Sequence, residues 1–129
     1  MNKVFLLVDD DRDDADLFRE ALGEIDAEIS CYCAENGGEA FKILPEIPKP
    51  DLIFMDINMP IMDGWQCLGK LKENVAYSDI PVIMYSTSSH QREIDQATAL
   101  GAINFISKPD SYSALKAMLT KVAGEINGK

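Results

Sequence analysis

Short apolar runs of strand length alternate with helix-period segments about five times along the chain. Val4 to Val8 is almost wholly apolar, the pattern of a central parallel strand covered on both faces, and it stops abruptly at Asp9. From Asp14 to Gly23, Leu17, Phe18, Ala21 and Leu22 recur at helical spacing, and Gly23 predicts the stop. Ile29, Cys31 and Cys33 alternate with Ser30 and Tyr32, the period-two signal of a strand nearer a sheet edge. Asn36 with Gly37 and Gly38 opens a short helix to Leu44, which Pro45, Pro48 and Pro50 break. Leu52 to Met55 is a second apolar run closed by an aspartate, Asp56. After the loop from Ile57 to Gly64, Trp65, Leu68 and Leu71 mark a helix. Val82 to Tyr85 reads as a strand, Ile94 to Leu100 as a weakly apolar helix, and Phe105 to Ile106 as a short strand. Leu115, Met118, Leu119, Val122 and Ile126 give a closing amphipathic helix.

Alternating strand and helix units imply an α/β fold with right-handed crossovers. The expectation is a doubly wound five-stranded parallel sheet of flavodoxin-like order 2-1-3-4-5, flanked by five helices. In that order the first and third strands are neighbours whose chains leave in opposite directions. The crevice at their C-terminal ends is the topological switch point where such sheets bind ligands. Asp9 and Asp56 sit there.

Charge narrows the choice of partners. Twelve Lys and Arg against 22 Asp and Glu give a net charge of −10, which repels nucleic-acid phosphates and anionic membranes, so neither is an expected direct partner. A hydrophobic content of 47% excludes disorder as the general state. The early apolar run of Val4 to Val8 is too short for a signal-peptide core or a spanning helix, and three cysteines make no disulfide framework. A cytoplasmic protein of a single domain, residues 1–129, is the expectation.

Adjacent strands lie roughly 4.8 Å apart, so Asp9 and Asp56 can point into one small space, and Asp10 can join them. Two like charges at about 4 Å repel by about 4 kcal/mol at an effective dielectric of 20. Three ionised aspartates therefore need protons or a cation. An oxygen-only, partly open donor set suits Mg²⁺. Ser86 after the fourth strand and Lys108 after the fifth fall on the same rim, adding a hydroxyl and a cation. Carboxylate, metal, hydroxyl and ammonium are the parts needed to take up a phosphoryl group.

Four elements in order carry a family resemblance: the strand end Leu7-Val8-Asp9-Asp10, the segment Asp56-Ile57-Asn58-Met59-Pro60-Ile61-Met62-Asp63-Gly64, the hydroxyl of Ser86, and Lys108-Pro109. On them the chain resembles a response-regulator receiver domain of two-component signalling, the single-domain type similar to the bacterial chemotaxis regulator. The resemblance implies that Asp56 is the phosphoacceptor, taking phosphate from a phosphohistidine on a sensor histidine kinase or phosphotransfer protein. It implies Mg²⁺ held by Asp10, Asp56 and the backbone carbonyl of Asn58, with Asp9 acting through water. Ser86 and Lys108 would contact phosphoryl oxygens, and the Lys108-Pro109 bond would be cis. The acyl phosphate would draw the Ser86 hydroxyl inward and reposition the face of the fourth helix, fifth strand and fifth helix. Output would pass to a downstream protein effector or onward to another histidine, because no effector sequence follows the fifth helix. Such a protein is no enzyme beyond promoting its own phosphorylation and slow dephosphorylation. It is a monomer or a weak phosphorylation-dependent dimer.

Three positions depart from the family pattern. Phe105 lacks the phenolic hydroxyl often found there, so any aromatic switch works by packing alone. Thr87 is bulkier than the usual small residue and narrows access to the phosphoryl group. Asp110 stands where an aromatic is common and is a candidate cap for the last helix. The stretch Asp11 to Asp16 reads as a solvated helix start favoured by the helix dipole.

Other readings compete. Asp9, Asp11, Asp13 and Glu20 occupy EF-hand positions, but Asp14 replaces the required glycine and a strand precedes the loop. A haloacid-dehalogenase-like phosphatase would use Asp9 as nucleophile with Asp11, though Asp13 stands where threonine or valine is expected. Cys31, Cys33, Cys67 and His90 form a zinc set only on paper, since one-residue cysteine spacing on a strand chelates poorly. His90 reads as an exposed loop residue, Met55, Met59, Met62 and Trp65 as packing, and Ser111 and Ser113 as helix-start residues. The alternative from a different class is a pseudo-receiver or metal-binding module that docks partners without phosphorylation.

Overall fold

Successive residues of an extended strand face opposite sides of its sheet, and in β1 (Lys3–Val8) both sides are apolar: Leu6 and Val8 point one way, Phe5 and Leu7 the other. Each side is covered by its own helices. The computed structural model describes residues 3–88 and 90–127. The elements that follow are α1 (Arg12–Ile25), β2 (Ile29–Ala34), α2 (Gly37–Ile43) with a 3-10 turn at Leu44–Glu46, and β3 (Leu52–Met55). Then come α3 (Gly64–Glu73), β4 (Val82–Ser86), α4 (Gln91–Ala99), β5 (Asn104–Ser107) and α5 (Tyr112–Asn127). All strand pairs are parallel and the order is β2-β1-β3-β4-β5, the doubly wound flavodoxin-like arrangement that the alternating pattern predicts.

One core lies between the sheet and the pair α1 and α5. Phe18, Ala21 and Leu22 of α1 and Leu115, Leu119 and Val122 of α5 close over Phe5, Leu52, Phe54 and Tyr85. Phe18 stacks edge-on against Phe54 at 4.9 Å between ring centres. On the opposite face α2, α3 and α4 cover Leu6, Ile53, Met55, Val82 and Met84. Full burial of side chains of this size contributes about 1.5–3 kcal/mol each. The helix α4 buries only Ala97, so it is the most lightly anchored helix, as its thin apolar stripe predicts.

Helix α1 extends through Gly23 to Ile25, two residues beyond the expected stop. Glycine inside a helix costs only about 1 kcal/mol. Burial of Leu22 and packing of Ile25 on the α1/α5 side outweigh that cost. The N-cap of α1 is Asp11, whose side chain accepts from the Asp14 N–H, and Asp13 and Asp14 fill its first turn. At α5 it is Ser111, whose hydroxyl accepts from the Ala114 N–H at 3.1 Å, that opens the helix. Asp110 does not cap it: Ser111 is the residue placed one position before the first helical turn, and Asp110 stays exposed. The Lys108-Pro109 peptide bond is trans, against the cis expectation. Proline only narrows the preference for trans to about 0.5–1 kcal/mol, so the sequence permits cis without requiring it.

The loop between β3 and α3 contains a strained turn. The Met62 N–H donates to the Pro60 carbonyl at 2.7 Å around Ile61, whose φ is +69°. That is a γ-turn, and a β-branched residue at positive φ is disfavoured there by roughly 1–3 kcal/mol. The Ile61 side chain is fully exposed and recovers nothing by burial. Ile61→Gly is expected to raise the unfolding free energy by about 1 kcal/mol in urea denaturation, after the entropy that glycine adds to the unfolded chain is deducted.

Candidate functional site

Parallel pairing sets the site. Val8 and Met55 are register partners across β1 and β3, so the next residues, Asp9 and Asp56, leave the sheet side by side. Backbone bonds hold both: the Asp56 N–H donates to the Val8 carbonyl at 2.9 Å and the Asp9 N–H to the Ala34 carbonyl at 3.0 Å. Carboxylate oxygens of Asp9, Asp10 and Asp56 lie within 4.8 Å of one another. Asp9 and Asp56 are buried, and Asp10 is exposed at the mouth.

The opposite wall comes from β4 and β5. Ser86 ends β4 and pairs with Ser107, and the Lys108 N–H donates to the Ser86 carbonyl at 2.7 Å. This directs the Lys108 side chain back across the sheet edge. Its ammonium lies 2.8 Å from Asp9, 3.0 Å from Asp14 and 3.7 Å from Asp56. The Tyr85 ring centre is 5.6 Å away, within cation-π range. Burial alone would push the Lys108 ammonium down, but its hydrogen bonds to Asp9 and Asp14 outweigh that and hold it above its ordinary value.

Burial drives the Asp56 carboxyl up to about 7, against the pull of Lys108 and reinforced by the adjacent Asp9. The backbone N–H of Asn58 acts in the other direction, favouring the ionised form. In protein stripped of metal this has a pH signature. The unfolded chain loses the Asp56 proton near 3.8 and the folded chain only near 7. Between those values the folded state binds the extra proton, so stability falls as pH rises through the window. Lys108 stays protonated in both states throughout it. Urea denaturation in EDTA is expected to give decreasing stability from about pH 4.5 to about pH 7.5, with a shallower slope for Asp56→Asn.

Ser86 is fully buried, and its hydroxyl oxygen accepts from the Ser88 N–H at 3.3 Å and lies 3.4 Å from the Ser88 hydroxyl. These contacts are long. The Ser88 hydroxyl in turn donates to Glu93 of α4 at 2.6 Å. A polar path thus runs from the site to the first turn of α4, through two residues that no periodicity marked. Phe105 is half-buried against the core on the α3/α4 side, and Thr87 is exposed.

The other cluster readings fail on geometry. Cys31 and Cys33 pack on the α1/α5 side of the sheet and Cys67 on the other, so the zinc set does not assemble. Asp9 makes a poor phosphatase nucleophile, since one carboxylate oxygen accepts from the Asp11 N–H at 2.9 Å and the other from Lys108. The strand β1 stands where an EF-hand needs a helix.

The loop that delivers Asp56 is held by Gly64. Its N–H donates to the Ile57 carbonyl at 2.8 Å, and a Cβ there would lie 2.2 Å from the Asp56 carbonyl oxygen. A capping box between Asp63 and Gln66 fixes the start of α3 at the same point.

The family model described as response regulator receiver domain matches residues 5–120. The chain belongs to that family. As a receiver domain of a response regulator it is a two-component signalling module similar to CheY proteins. It is 40% identical over 109 residues to a chemotaxis protein CheY of Halobacterium salinarum, covering 84% of this chain and 87% of that one. It is also 36% identical to a protein-glutamate methylesterase/protein-glutamine glutaminase of Methanococcoides burtonii, covering 89% of this chain. The receiver domain spans about a third of the length of the methylesterase relatives that it matches. Among solved structures, the phosphorylated cyanobacterial phytochrome response regulator RcpA superposes with a TM-score of 0.87 at 28% identity, covering 96% of this chain and 93% of that one. The Mn²⁺-bound form of response regulator Rcp1 gives 0.81 at 28% identity, covering 95% and 92%. No helix among the described residues is long and apolar enough to cross a membrane.

Proposed function

We propose that this receiver domain captures a phosphoryl group on Asp56 from a phosphohistidine of a sensor histidine kinase or phosphotransfer protein. A carboxylate oxygen of Asp56 forms the new O–P bond, the N–P bond of the donor breaks, and the imidazole leaves with a proton from solvent. The observation that carries the reading is the Lys108 ammonium, 3.7 Å from the Asp56 carboxylate, in a cleft where three carboxylates converge. An anion added to Asp56 meets a cation already in place. Ser86, one strand further along the rim, is the hydroxyl that would close on a phosphoryl oxygen.

The donor set fits Mg²⁺: three carboxylates, one of them exposed at the mouth, crowd into a space where burial raises the proton affinity of Asp56. Asp10, Asp56 and the Asn58 carbonyl are the proposed ligands, with Asp9 acting through water. Bound Mg²⁺ would offset the charge of the phosphoryl oxygens. The chain's own residues do the rest: Asp56 attacks, Lys108 orients and neutralises, and burial excludes bulk water.

Output in this reading goes through the face formed by α4, β5 and α5 to a downstream protein effector. Departure of the Ser86 hydroxyl toward the phosphoryl group breaks its contacts to Ser88 and loosens the lightly anchored α4, while Phe105 adjusts by packing. Residues 1–129 act as one receiver unit, monomeric or weakly dimeric when phosphorylated.

Intact-mass spectrometry after incubation with acetyl phosphate and Mg²⁺ tests the proposal. One added phosphoryl group, absent when EDTA is added before the acetyl phosphate, is the expected result. No mass change under any condition would leave a docking module without phosphorylation as the better account.

A further inference from the structure

Lys108 is tied into a closed ring of hydrogen bonds that reaches α1. The Asp11 N–H donates to Asp9 Oδ1 at 2.9 Å, the Asp14 N–H to Asp11 Oδ1 at 3.1 Å, and the Lys108 ammonium to Asp14 Oδ2 at 3.0 Å and Asp9 Oδ2 at 2.8 Å. These four bonds run through Asp9, Asp11, Asp14 and Lys108. They join the first turn of α1 to the ammonium that faces Asp56. Asp14 is 94 residues from Lys108 in the chain, and its place in an acidic helix start marks it as a solvated charge.

We propose that Asp14 is a positioning residue for Lys108: it holds the ammonium on the α1 side of the cleft, away from Asp56, and is the partner that Lys108 gives up when an anion occupies Asp56. The inference rests on the reading of Asp56 as phosphoacceptor for its second half only.

Donor arithmetic supports it. A lysine ammonium has three donors, and Asp9 and Asp14 each engage one at hydrogen-bond distance. Asp56 at 3.7 Å is beyond that distance. Of the two engaged carboxylates, the Asp9 side chain is wholly buried and the Asp14 side chain is 41% exposed. Solvent screens the Asp14 pair and offers its carboxylate replacement hydrogen bonds, so it is the weaker hold and the one to open. The Asp9 pair persists, because leaving either buried charge alone is costly. Opening the ring at Asp14 also frees one anchor of the first turn of α1. Occupancy of Asp56 is thereby felt on a face that α4 does not reach.

The test compares Asp14→Asn with Asp13→Asn, which removes the same charge from the same helical turn at an exposed site, whereas the ion-pair partners of Lys108 among the described residues are Asp9, Asp14 and Asp56. Beryllofluoride with Mg²⁺, a phosphoryl mimic, is titrated by calorimetry. Mg²⁺ alone is titrated separately. Without Asp14 the ammonium shifts toward Asp56. Asp14→Asn is therefore expected to bind beryllofluoride about two- to fivefold tighter and Mg²⁺ alone about two- to fivefold weaker than the wild-type protein. Asp13→Asn is expected to move either constant by less than about 1.5-fold. Amide exchange of residues 12–15 should accelerate in wild-type protein when beryllofluoride binds, and should already be fast in Asp14→Asn. Equal effects of the two variants would reduce Asp14 to a distant charge and overturn the proposal, as would unchanged affinities in Asp14→Asn. A wild-type protein that fails to bind beryllofluoride, while Asp14→Asn alone weakens Mg²⁺, would instead count against the phosphoacceptor reading and leave the positioning role standing.

Discussion

Asp56→Asn protein is expected to take up no phosphoryl group from acetyl phosphate and Mg²⁺, with intact mass unchanged under conditions that phosphorylate the wild-type chain. The substitution is isosteric, so it leaves the register of β1 and β3 and the backbone bond to Val8 in place. What it removes is the nucleophile. An amide oxygen carries only partial charge and its nitrogen lone pair is delocalised into the carbonyl, so neither atom displaces a phosphohistidine or acetyl leaving group at a useful rate. Neither Asp9 nor Asp10 can substitute: Asp9 is bound by Lys108 and the Asp11 N–H, and Asp10 lies exposed on the outer side of the cluster. Folding is not expected to suffer. A neutral amide also escapes the desolvation and the Asp9 repulsion that raise the Asp56 carboxyl, so urea stability in EDTA at about pH 8 should equal or exceed that of the wild-type protein. Uptake at the wild-type rate by the Asn variant would show that another residue accepts the group.

Gly64→Ala is expected to be the most destabilising single-methyl addition among the described glycines. The new Cβ would sit 2.2 Å from the Asp56 carbonyl oxygen and 2.8 Å from the Ile57 Cα, both backbone atoms that no rotamer change can move. Relief requires α3 to back away from the end of β3, stretching the Gly64 N–H bond to Ile57 and the capping box at Asp63. Overpacking against backbone of this kind costs about 2–4 kcal/mol. Gly69→Ala is the matched control, because nothing lies within 4 Å of the place its methyl group would take in the same helix. There the gain in helix propensity should stabilise by about 0.5–1 kcal/mol. Urea denaturation of the pair separates steric conflict at the site loop from helix propensity, and phosphoryl uptake should fall in Gly64→Ala alone, since the carbonyl that must move belongs to Asp56. Equal stability of the two variants would remove the close approach of α3 from the account.

Much of this architecture is readable from local pattern. The apolar runs that end in Asp9 and Asp56 place two carboxylates at strand ends, and the fivefold alternation implies neighbouring first and third strands. Ser86 and Lys108 follow from their positions after the fourth and fifth runs. The misreadings share a cause. Gly23 does not stop α1, because burial of Leu22 and packing of Ile25 override a local propensity of about 1 kcal/mol. Asp110 yields its capping role to Ser111 for want of one residue of register. The Lys108-Pro109 bond takes the isomer that proline slightly favours. In each case two local options differ by an amount that a few packing contacts exceed.

The amino-acid order by itself determined the strand sequence, the parallel sheet, and the identity of the carboxylates, hydroxyl and ammonium at one edge, because residue periodicity and strand-end position are local properties. Only the tertiary structure decided which carboxylates the Lys108 ammonium holds, that Asp14 is among them, that Ser88 and Glu93 continue from Ser86, and that Ile61 bears a strained turn. Those outcomes depend on where a helix end and a side-chain tip meet across tens of residues of chain, at distances where a fraction of an ångström separates a hydrogen bond from none.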